Sequence, residues 1–538
     1  MTGKEIEINK KKYRKPRRIF ESSGIVNPEG AYYVRLDNVT NTFKQDIKTM
    51  VDRGRYFSMF APRQSGKTTF LDGIRKELHN NQAYVVIILS FERYKDLDKK
   101  QFYELIEEEL YSQLVNRLRD VICEKIEKVE QFLSINHLTG HISFGKLFAE
   151  LNQIIKFKKI VIFIDEFDGI PLSELANFLT TLRDLYQKYK GVKQKALYSI
   201  GLVGIRNITK LVVGGVSPFN IADQVDLPPF SFKNVRDLYA QYTEETNQPF
   251  TEETVKKIYE KTEGQPWLVN RLGTILSVDI KPQTVEPIGQ NDVEKAIDLL
   301  LKERNDHFDN LYEKAKLYKE TFVEIVFDNV EYNPDDEDQT WLEQYGLVKN
   351  KDGHAVVANN IYKDRYIKTF FKEVNAYEEI SLQGYISPGN KLDIKRILLH
   401  FEQYIAQIGV NAFYKEKKPY EKTGQFLLTA WLYQFVRGGA GELRYEVPSG
   451  FGRMDIILTY MGRKYIIETK INRYNLTRTL KDGITQVSKK YLASESVDEG
   501  YLVVFDIKTQ AGEECEPQHY LTGGKKVTSF TIGIGRPD

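Results

Sequence analysis

The sequence predicts a multidomain α/β chain with two separate sheets, and three observations carry that reading. At 538 residues the chain is too long for one hydrophobic core and divides into about three or four domains. Continuous apolar runs at Tyr56–Phe60, Ala83–Ser90, Ile160–Ile164 and Leu197–Val203 alternate with stretches of helical spacing. This is the pattern of a parallel sheet whose strands are buried on both faces. A second set of elements, reading α-β-β-β-α-β, occupies the chain after residue 396.

The first run leads into Ala61-Pro62-Arg63-Gln64-Ser65-Gly66-Lys67-Thr68, followed by Thr69. A strand, a glycine turn and a helix in succession aim several backbone N–H groups and a helix N-terminus at one point, which suits a polyphosphate. The stretch reads as a P-loop in which Lys67 reaches the β- and γ-phosphates of ATP and Thr68 holds Mg2+. Its first position carries Ala61 where the pattern has glycine, and a tight turn there suits alanine less. The third run, Ile160–Ile164, ends in Asp165-Glu166, at the strand end where such sheets place ligands. Asp165 is expected to support the magnesium through water, and Glu166 to polarise the attacking water.

Between these elements, Asn41–Arg53, Lys99–Ile135 and Leu172–Tyr189 have helical spacing. Beyond Leu227-Pro228-Pro229-Phe230-Ser231, helices are expected at Val235–Asn247 and Glu252–Glu263, then at Val293–Ala315 and Lys319–Phe327. Asp352-Gly353 is a hairpin turn between two short strands, so the segment up to residue 372 suggests a winged helix.

The stretch Tyr32-Tyr33-Val34-Arg35, followed by a strand ending in P-R-Q-x-G-K-[ST], resembles the lead-in of bacterial AAA-like ATPases of the STAND group. That resemblance implies that a non-glycine is accepted at Ala61 and that Arg206, at the end of the Leu197–Val203 strand, senses the γ-phosphate. A surface arginine is the other reading of Arg206. Gly264-Gln265-Pro266 resembles the G-x-P element of the STAND lid, which implies that Pro266 lies against the nucleotide base. The run from Tyr345-Gly346-Leu347-Val348 to Asn359-Asn360-Ile361-Tyr362 resembles the winged-helix part that follows the ATPase, a module that binds DNA in some proteins and only packs in others.

Hydrophobic residues at 41% and charged residues at 28% describe a soluble globular chain. No apolar run approaches the ~18 residues of a membrane span, and no signal-peptide core is seen, so a cytoplasmic protein is expected. Two cysteines, Cys123 and Cys515, provide neither a disulfide framework nor a zinc site. The net charge of +2 predicts no partner, but Lys10–Arg18 holds seven basic residues in nine and Tyr474–Lys490 is basic again. Each is a solvated end or face, or a nucleic-acid contact.

In the second set, Glu421–Val436 is a helix, Arg444–Val447, Met454–Tyr460 and Lys464–Ile471 are strands, Arg478–Ala493 is a helix and Tyr501–Asp506 a strand. Glu468 and Lys470 are two apart and project from one face of a strand whose first half is apolar. Charges entering a buried sheet are expensive unless paired or bound to metal. Asp455 converges on the same point if the two strands form a hairpin, and two carboxylates with a lysine can hold magnesium and orient a water towards a phosphodiester. The bland alternative is a Glu/Lys salt bridge on a solvated strand.

Gly452-Arg453-Met454-Asp455, Glu468-Thr469-Lys470, and Gln486 and Tyr491 on the next helix resemble the PD-(D/E)xK nuclease superfamily in its RecB-like form. The resemblance covers about residues 396 to 510. It implies a restriction-endonuclease-like domain with Asp455 and Glu468 as ligands of Mg2+ or Mn2+, Lys470 as a catalytic partner, and Glu421 or Glu446 as a fourth acidic residue. Thr469 departs from the usual apolar middle residue. The expected order is a basic arm at 1–30, an ATPase core at 31–230, a helical lid at 231–290, a winged helix at 291–372, a linker at 373–395 and the nuclease-like domain at 396–538. The whole resembles bacterial AAA-like ATPases with a C-terminal nuclease-like domain, which implies DNA as a partner, a homo-oligomer, and a role in defence against foreign DNA or in a mobile element. A signalling switch and a DNA-remodelling ATPase are the alternatives.

Overall fold

The computed structural model describes residues 12–36, 38–121, 125–155, 158–188, 197–205, 220–327, 330–374, 382–387, 389–408, 410–415, 418–419, 421–436, 441–449, 452–513 and 515–535. Contacts divide the chain into two compact units. The first comprises the chain up to Lys314 with Pro334–Lys349 and Ala358–Ile361; the second comprises Ala315–Asn333, Asn350–Val357 and Tyr362–Asp538. Among the described residues no helix is long and apolar enough to cross a membrane.

The first unit is built on β1 (Phe57–Phe60), α1 (Lys67–His79), β2 (Tyr84–Ser90), α2 (Lys99–Val121), β3 (Lys159–Asp165), α3 (Leu172–Lys188), β4 (Leu197–Gly204) and β5 (Asp223–Asp226). Its sheet has the order β2-β3-β4-β1-β5, with every pairing parallel. The apolar runs become strands because both faces are covered: Ile87, Ile162, Ile200 and Leu202 are fully buried together with Phe102, Leu110 and Phe178 of the flanking helices. Placing β4 between β1 and β3 sets the end of the P-loop strand and Asp165 on either side of the end of β4. The helices α4 (Phe232–Thr246), α5 (Glu252–Thr262) and α6 (Pro266–Thr274) follow. Ser231 caps α4 by accepting from Asn234 N at 3.2 Å, and Thr251 caps α5.

Several expected elements differ. The long helix at Lys99–Ile135 is two, Lys99–Val121 and Ile126–Ile135; Cys123 lies outside the described residues. Only Ile47–Asp52 of the Asn41–Arg53 stretch is helical, started by Asp46 accepting from Thr49 N. Val293–Ala315 is likewise two helices, Gln290–Leu300 and Asp306–Leu317. The described part of the basic arm is held against the first unit, although Lys12, Arg14, Lys15 and Arg17 remain exposed. Arg17 N and Arg18 Nε donate to Glu245 of α4 at 2.7 and 3.2 Å, Arg14 Nη2 donates to Glu244 O, and the Arg18 guanidinium lies over the Tyr32 ring. Phe20 is buried among Tyr32, Tyr239, Tyr242 and Phe250, a cluster that fixes the arm by burial of apolar surface.

The second unit contains α7 (Ile394–Ile408), α8 (Glu421–Tyr433), β6 (Gly441–Ser449), β7 (Gly452–Tyr460), β8 (Arg463–Asn472), α9 (Leu476–Gln486), β9 (Glu499–Gln510), β10 (Gln518–Thr522) and β11 (Lys525–Gly535). From α8 to β9 the order is α-β-β-β-α-β, and two further strands complete a mixed sheet of order β6-β7-β8-β9-β11-β10. The β8–β9 and β9–β11 pairings are parallel, the others antiparallel. Ile457, Ile466, Leu502 and Val504 bury one sheet face against Ile484, Val487 and Tyr491 of the α9 segment. The helices Lys319–Phe327, Glu337–Gln344 and Asn360–Val374, with the short strands Val348–Lys351 and His354–Val357, are distributed between the two units.

Candidate functional site

In the first unit the P-loop turn is closed by its own groups. Lys67 Nζ donates to Ala61 O at 3.0 Å and to Pro62 O at 2.8 Å, and Ser65 Oγ donates to Pro62 O at 2.8 Å. The left-handed backbone falls at Gln64 (φ 56°) and Gly66 (φ 90°) rather than at Ala61, so alanine costs no strain at the first position. Gly66 leads into α1, whose N-terminus has no side-chain cap. Its orphan N–H groups and the positive end of the helix dipole fit a phosphate. Burial pulls the Lys67 ammonium below the ordinary lysine value, and the Glu166, Asp165 and Asp168 carboxylates oppose that shift.

Thr68 Oγ1 donates to Asp165 Oδ2 at 2.8 Å across the gap between α1 and β3. The hydroxyl and carboxylate expected to serve Mg2+ therefore meet, and a hard cation suits this pair of oxygens. Glu166 sits in left-handed backbone (φ 47°) at the end of β3, a strained placement for a residue with a side chain. Burial pushes its carboxyl above the ordinary glutamate value, against the pull of Lys67. Arg63 is exposed, and its charge acts on both Lys67 and Glu166. Thr69 Oγ1 accepts from Val26 N at 3.1 Å, which ties the segment after the arm to α1.

Pro266 lies with Trp267 and Asn270 in the wall of a cavity whose other side is Gln64, Ser65 and Gly66. Pro266 opens α6, with Gln265 as the capping residue, and Gln265 Nε2 also donates to Gln64 O at 3.3 Å. Arg206 lies outside the described residues. Two neighbours were not read from the sequence. Asp168 Oδ2 accepts from Ile205 N at 2.5 Å and so links the Asp165-Glu166 turn to the end of β4. Gly346 (φ 77°) packs on the P-loop, where an added Cβ would stand 2.7 Å from Pro62 Cγ. Neither had a signal in the sequence, since both depend on contacts far apart in the chain.

In the second unit the antiparallel register of β7 and β8, Ile456 opposite Ile467, carries Asp455 and Glu468 to adjacent positions. Asp455 Oδ2 accepts from Thr469 N at 2.7 Å and from Thr469 Oγ1 at 2.6 Å. The threonine in the middle of E-x-K thus adds a hydroxyl bond to the backbone one that holds the aspartate, and an apolar residue would supply only the latter. Lys470 Nζ pairs with Glu468 Oε1 at 2.7 Å, while Glu468 Oε2 is buried with no hydrogen-bond partner among the described residues. Burial together with Asp455 pushes the Glu468 carboxyl up to about 8, and the neighbouring Glu468, Asp455 and Glu421 carboxylates push Lys470 well above the ordinary lysine value against the opposing effect of burial.

Glu421, at the start of α8, accepts from Ile471 N at 3.2 Å; burial raises its carboxyl, and the Lys470 ammonium opposes this. Glu446 is on β6 between Tyr445 and Val447, which pair with Ile456 and Met454, so its backbone runs opposite Asp455; its side chain lies outside the described residues. Gln486 and Tyr491 are hydrogen-bonded to each other, and Tyr491 OH donates to Arg453 O at 2.6 Å, which moors the α9 segment to β7. Among the described residues no group of three or more His, Cys, Asp or Glu is placed to hold a metal ion. The orphaned Glu468 oxygen beside Asp455 fits a cation of the magnesium type, which takes one or two carboxylates and keeps several waters.

A strand-turn-helix with a buried lysine, facing a strand that ends in Asp-Glu, defines a P-loop ATPase. The AAA-like domain family matches residues 21–369, and the chain belongs to that family. A family described only as a domain of unknown function matches residues 392–509. No curated protein matches the chain. Among solved structures the chain is similar to the Walker-type ATPase of Pyrococcus abyssi, at 13% identity and TM-score 0.41, over 62% of this chain and 98% of that one. It is also similar to the Thermotoga maritima RuvB Holliday junction branch migration motor, at 13% identity and TM-score 0.31, over 62% and 92% of the two chains. A third is the Aeropyrum pernix ORC1 protein in complex with DNA, at 12% identity and TM-score 0.28, over 62% and 95%.

Proposed function

We propose that this ATPase governs a metal-dependent DNA endonuclease of the PD-(D/E)xK type in its second unit. The observation that carries the reading is the Glu468 oxygen that, among the described residues, is buried without a partner beside Asp455 and Lys470. Leaving a carboxylate oxygen desolvated and unpaired is expensive, and a cation would remove that cost. Asp455 and Glu468 would hold Mg2+ or Mn2+; when bound, the metal would polarise the phosphodiester and lower the pKa of a water. Lys470 then offers its ammonium to the charge developing on phosphate, and Thr469 keeps Asp455 oriented. The α-β-β-β-α-β order supports a restriction-endonuclease-like domain over 396–538, and the helix-helix-strand-strand-helix order before it supports a winged helix.

In the first unit, Lys67 and the N-terminus of α1 take the ATP phosphates, Thr68 and Asp165 serve Mg2+, and Glu166 polarises the attacking water. Pro266 and the cavity beside it take the base, and Arg206 senses the γ-phosphate. A homo-oligomer of the STAND kind and a role in defence against foreign DNA belong to the same reading. The Lys470–Glu468 ion pair favours a second reading, in which the unit binds nucleic acid without cutting it. Plasmid cleavage with Mg2+ or Mn2+, with and without ATP, separates the two. Asp455→Ala should abolish nicking and leave ATP turnover within about twofold. Nicking that survives in Asp455→Ala would remove this metal site, and no nicking under any condition would favour the second reading.

A further inference from the structure

Two basic segments stand out in the sequence, and they meet different surroundings. In the arm, the Arg18 guanidinium is paired with Glu245 and the Arg17 backbone N–H is held by the same carboxylate within the first unit. In the second unit, Arg478, Lys481, Lys489 and Lys490 are all exposed, and among the described residues Lys481, Lys489 and Lys490 have no ion pair. Arg478 faces only the exposed Asp482, at 3.8 Å. Arg478 and Lys481 are three apart on α9, one above the other on its outer face, and the wide turn Val487–Tyr491 continues the line. Leu476, Leu480 and Ile484 pack the opposite face onto the sheet.

The stripe is about 18 Å long at ~1.5 Å per residue, which covers several phosphates of a strand carrying one charge per ~3.4 Å. At its N-terminal end stands Tyr474, 84% exposed, the most exposed large apolar side chain described. Lys508 Nζ donates to Tyr474 O at 2.7 Å, so the backbone is fixed while the ring faces solvent. Tyr474 comes four residues after Lys470 along the chain, and the far end of the stripe is moored to β7 by the Tyr491–Arg453 bond.

We propose that this face binds single-stranded DNA, with Lys481, Lys489 and Lys490 on phosphates along the strand and the Tyr474 ring stacked on an unpaired base. The inference deepens the nuclease reading by naming the form of the substrate, and it rests on that reading for the neighbouring site alone. An exposed ring beside a cationic stripe suits an unpaired strand because every base offers a face to stack on, whereas paired bases are already stacked.

The test is fluorescence anisotropy of the full chain with a labelled 20-nucleotide DNA strand, in EDTA and without ATP, so that neither cleavage nor nucleotide intervenes. The double variant Lys481→Ala/Lys489→Ala should bind about 10-fold more weakly, with the log K against log salt slope shallower by about 1.4, from about 0.7 per phosphate contact. Tyr474→Ala should bind about 10-fold more weakly with the slope unchanged, and Tyr474→Phe should restore binding. Duplex of the same sequence should bind more weakly and be indifferent to Tyr474. Unchanged affinity and slope in the double variant would overturn the proposal, as would tighter binding of duplex, or of single-stranded RNA, that ignores Tyr474. Stripe-dependent binding without nicking in any metal would sustain this inference and sink the nuclease reading. Asp455-dependent nicking with stripe-independent binding would do the reverse.

Discussion

The two candidate sites use the same four residue types and leave opposite needs. In the first unit Lys67, Thr68, Asp165 and Glu166 meet with the lysine bonded to neutral carbonyl oxygens and a helix N-terminus uncapped, so the group that completes the site is an anion. In the second, Lys470, Thr469, Asp455 and Glu468 meet with the lysine already spent on a carboxylate and one carboxylate oxygen unpaired among the described residues, so on the proposed reading the completing group is a cation. Threonine donates to aspartate in both, at 2.8 and 2.6 Å. The lesson is that one set of residue types leaves two different sites, told apart by what the lysine is bonded to: carbonyl oxygens in one and a carboxylate in the other.

That contrast can be broken most severely at Lys67. Lys67→Ala should weaken ATP binding on the order of 100-fold with unchanged thermal unfolding, measured by calorimetric titration, because a charge-assisted phosphate contact is lost and the carbonyls it bridged can take water. Next, Glu166→Gln should lower ATP turnover by about 100-fold or more while retaining nucleotide binding, which a steady-state assay beside a binding titration would read. If both fell together, Glu166 would be part of the binding turn and not a base.

On the other side of the contrast, Lys470→Met removes the partner of a buried carboxylate. Breaking fully buried pairs costs about 3–5 kcal/mol. Lys470 retains a quarter of its side-chain exposure, so about 2 kcal/mol is expected in denaturant unfolding of the second unit, with Mg2+ recovering part of it.

The pH dependence sharpens the same point. The folded Glu468 carboxyl titrates near 8, above its ordinary 4.5, so the folded chain holds this proton more tightly than the unfolded one. Its contribution to stability is full below 4.5 and is lost as pH rises towards 8. Metal-free wild type should therefore lose stability relative to Glu468→Gln over that window, and added Mg2+ should reverse the loss at its upper end, since the cation requires the deprotonated acid. A stability difference constant across the window would mean that Glu468 ionises normally. The smallest effect is expected for Gln265→Ala, which removes the exposed hydrogen bond to Gln64 O and the cap on Leu268 N of α6, and should weaken ATP binding about twofold to threefold in the same titration.

Much of the first sheet was legible because its strands are continuous apolar runs, and the P-loop because its residues are contiguous. The strand Asp223–Asp226 was not, since Asp-Gln-Val-Asp offers one buried side chain and forms a strand only by pairing with β1. The arm read as a solvated end or a nucleic-acid contact because the partner of Arg18, Glu245, is more than two hundred residues away. In the second unit the convergence of Asp455 with Glu468 followed from assuming a hairpin. The bond from Thr469 to Asp455, the orphaned Glu468 oxygen and the two last strands required the register, which no local pattern encodes.

The claim that the second site is built for a cation is tested most directly by Mn2+ titration of the nucleotide-free protein, followed by electron paramagnetic resonance of the unbound ion. One site lost in Asp455→Asn and weakened as pH falls below the Glu468 titration near 8 is the predicted result. Mn2+ binding identical in wild type and Asp455→Asn, or none in either, would contradict it.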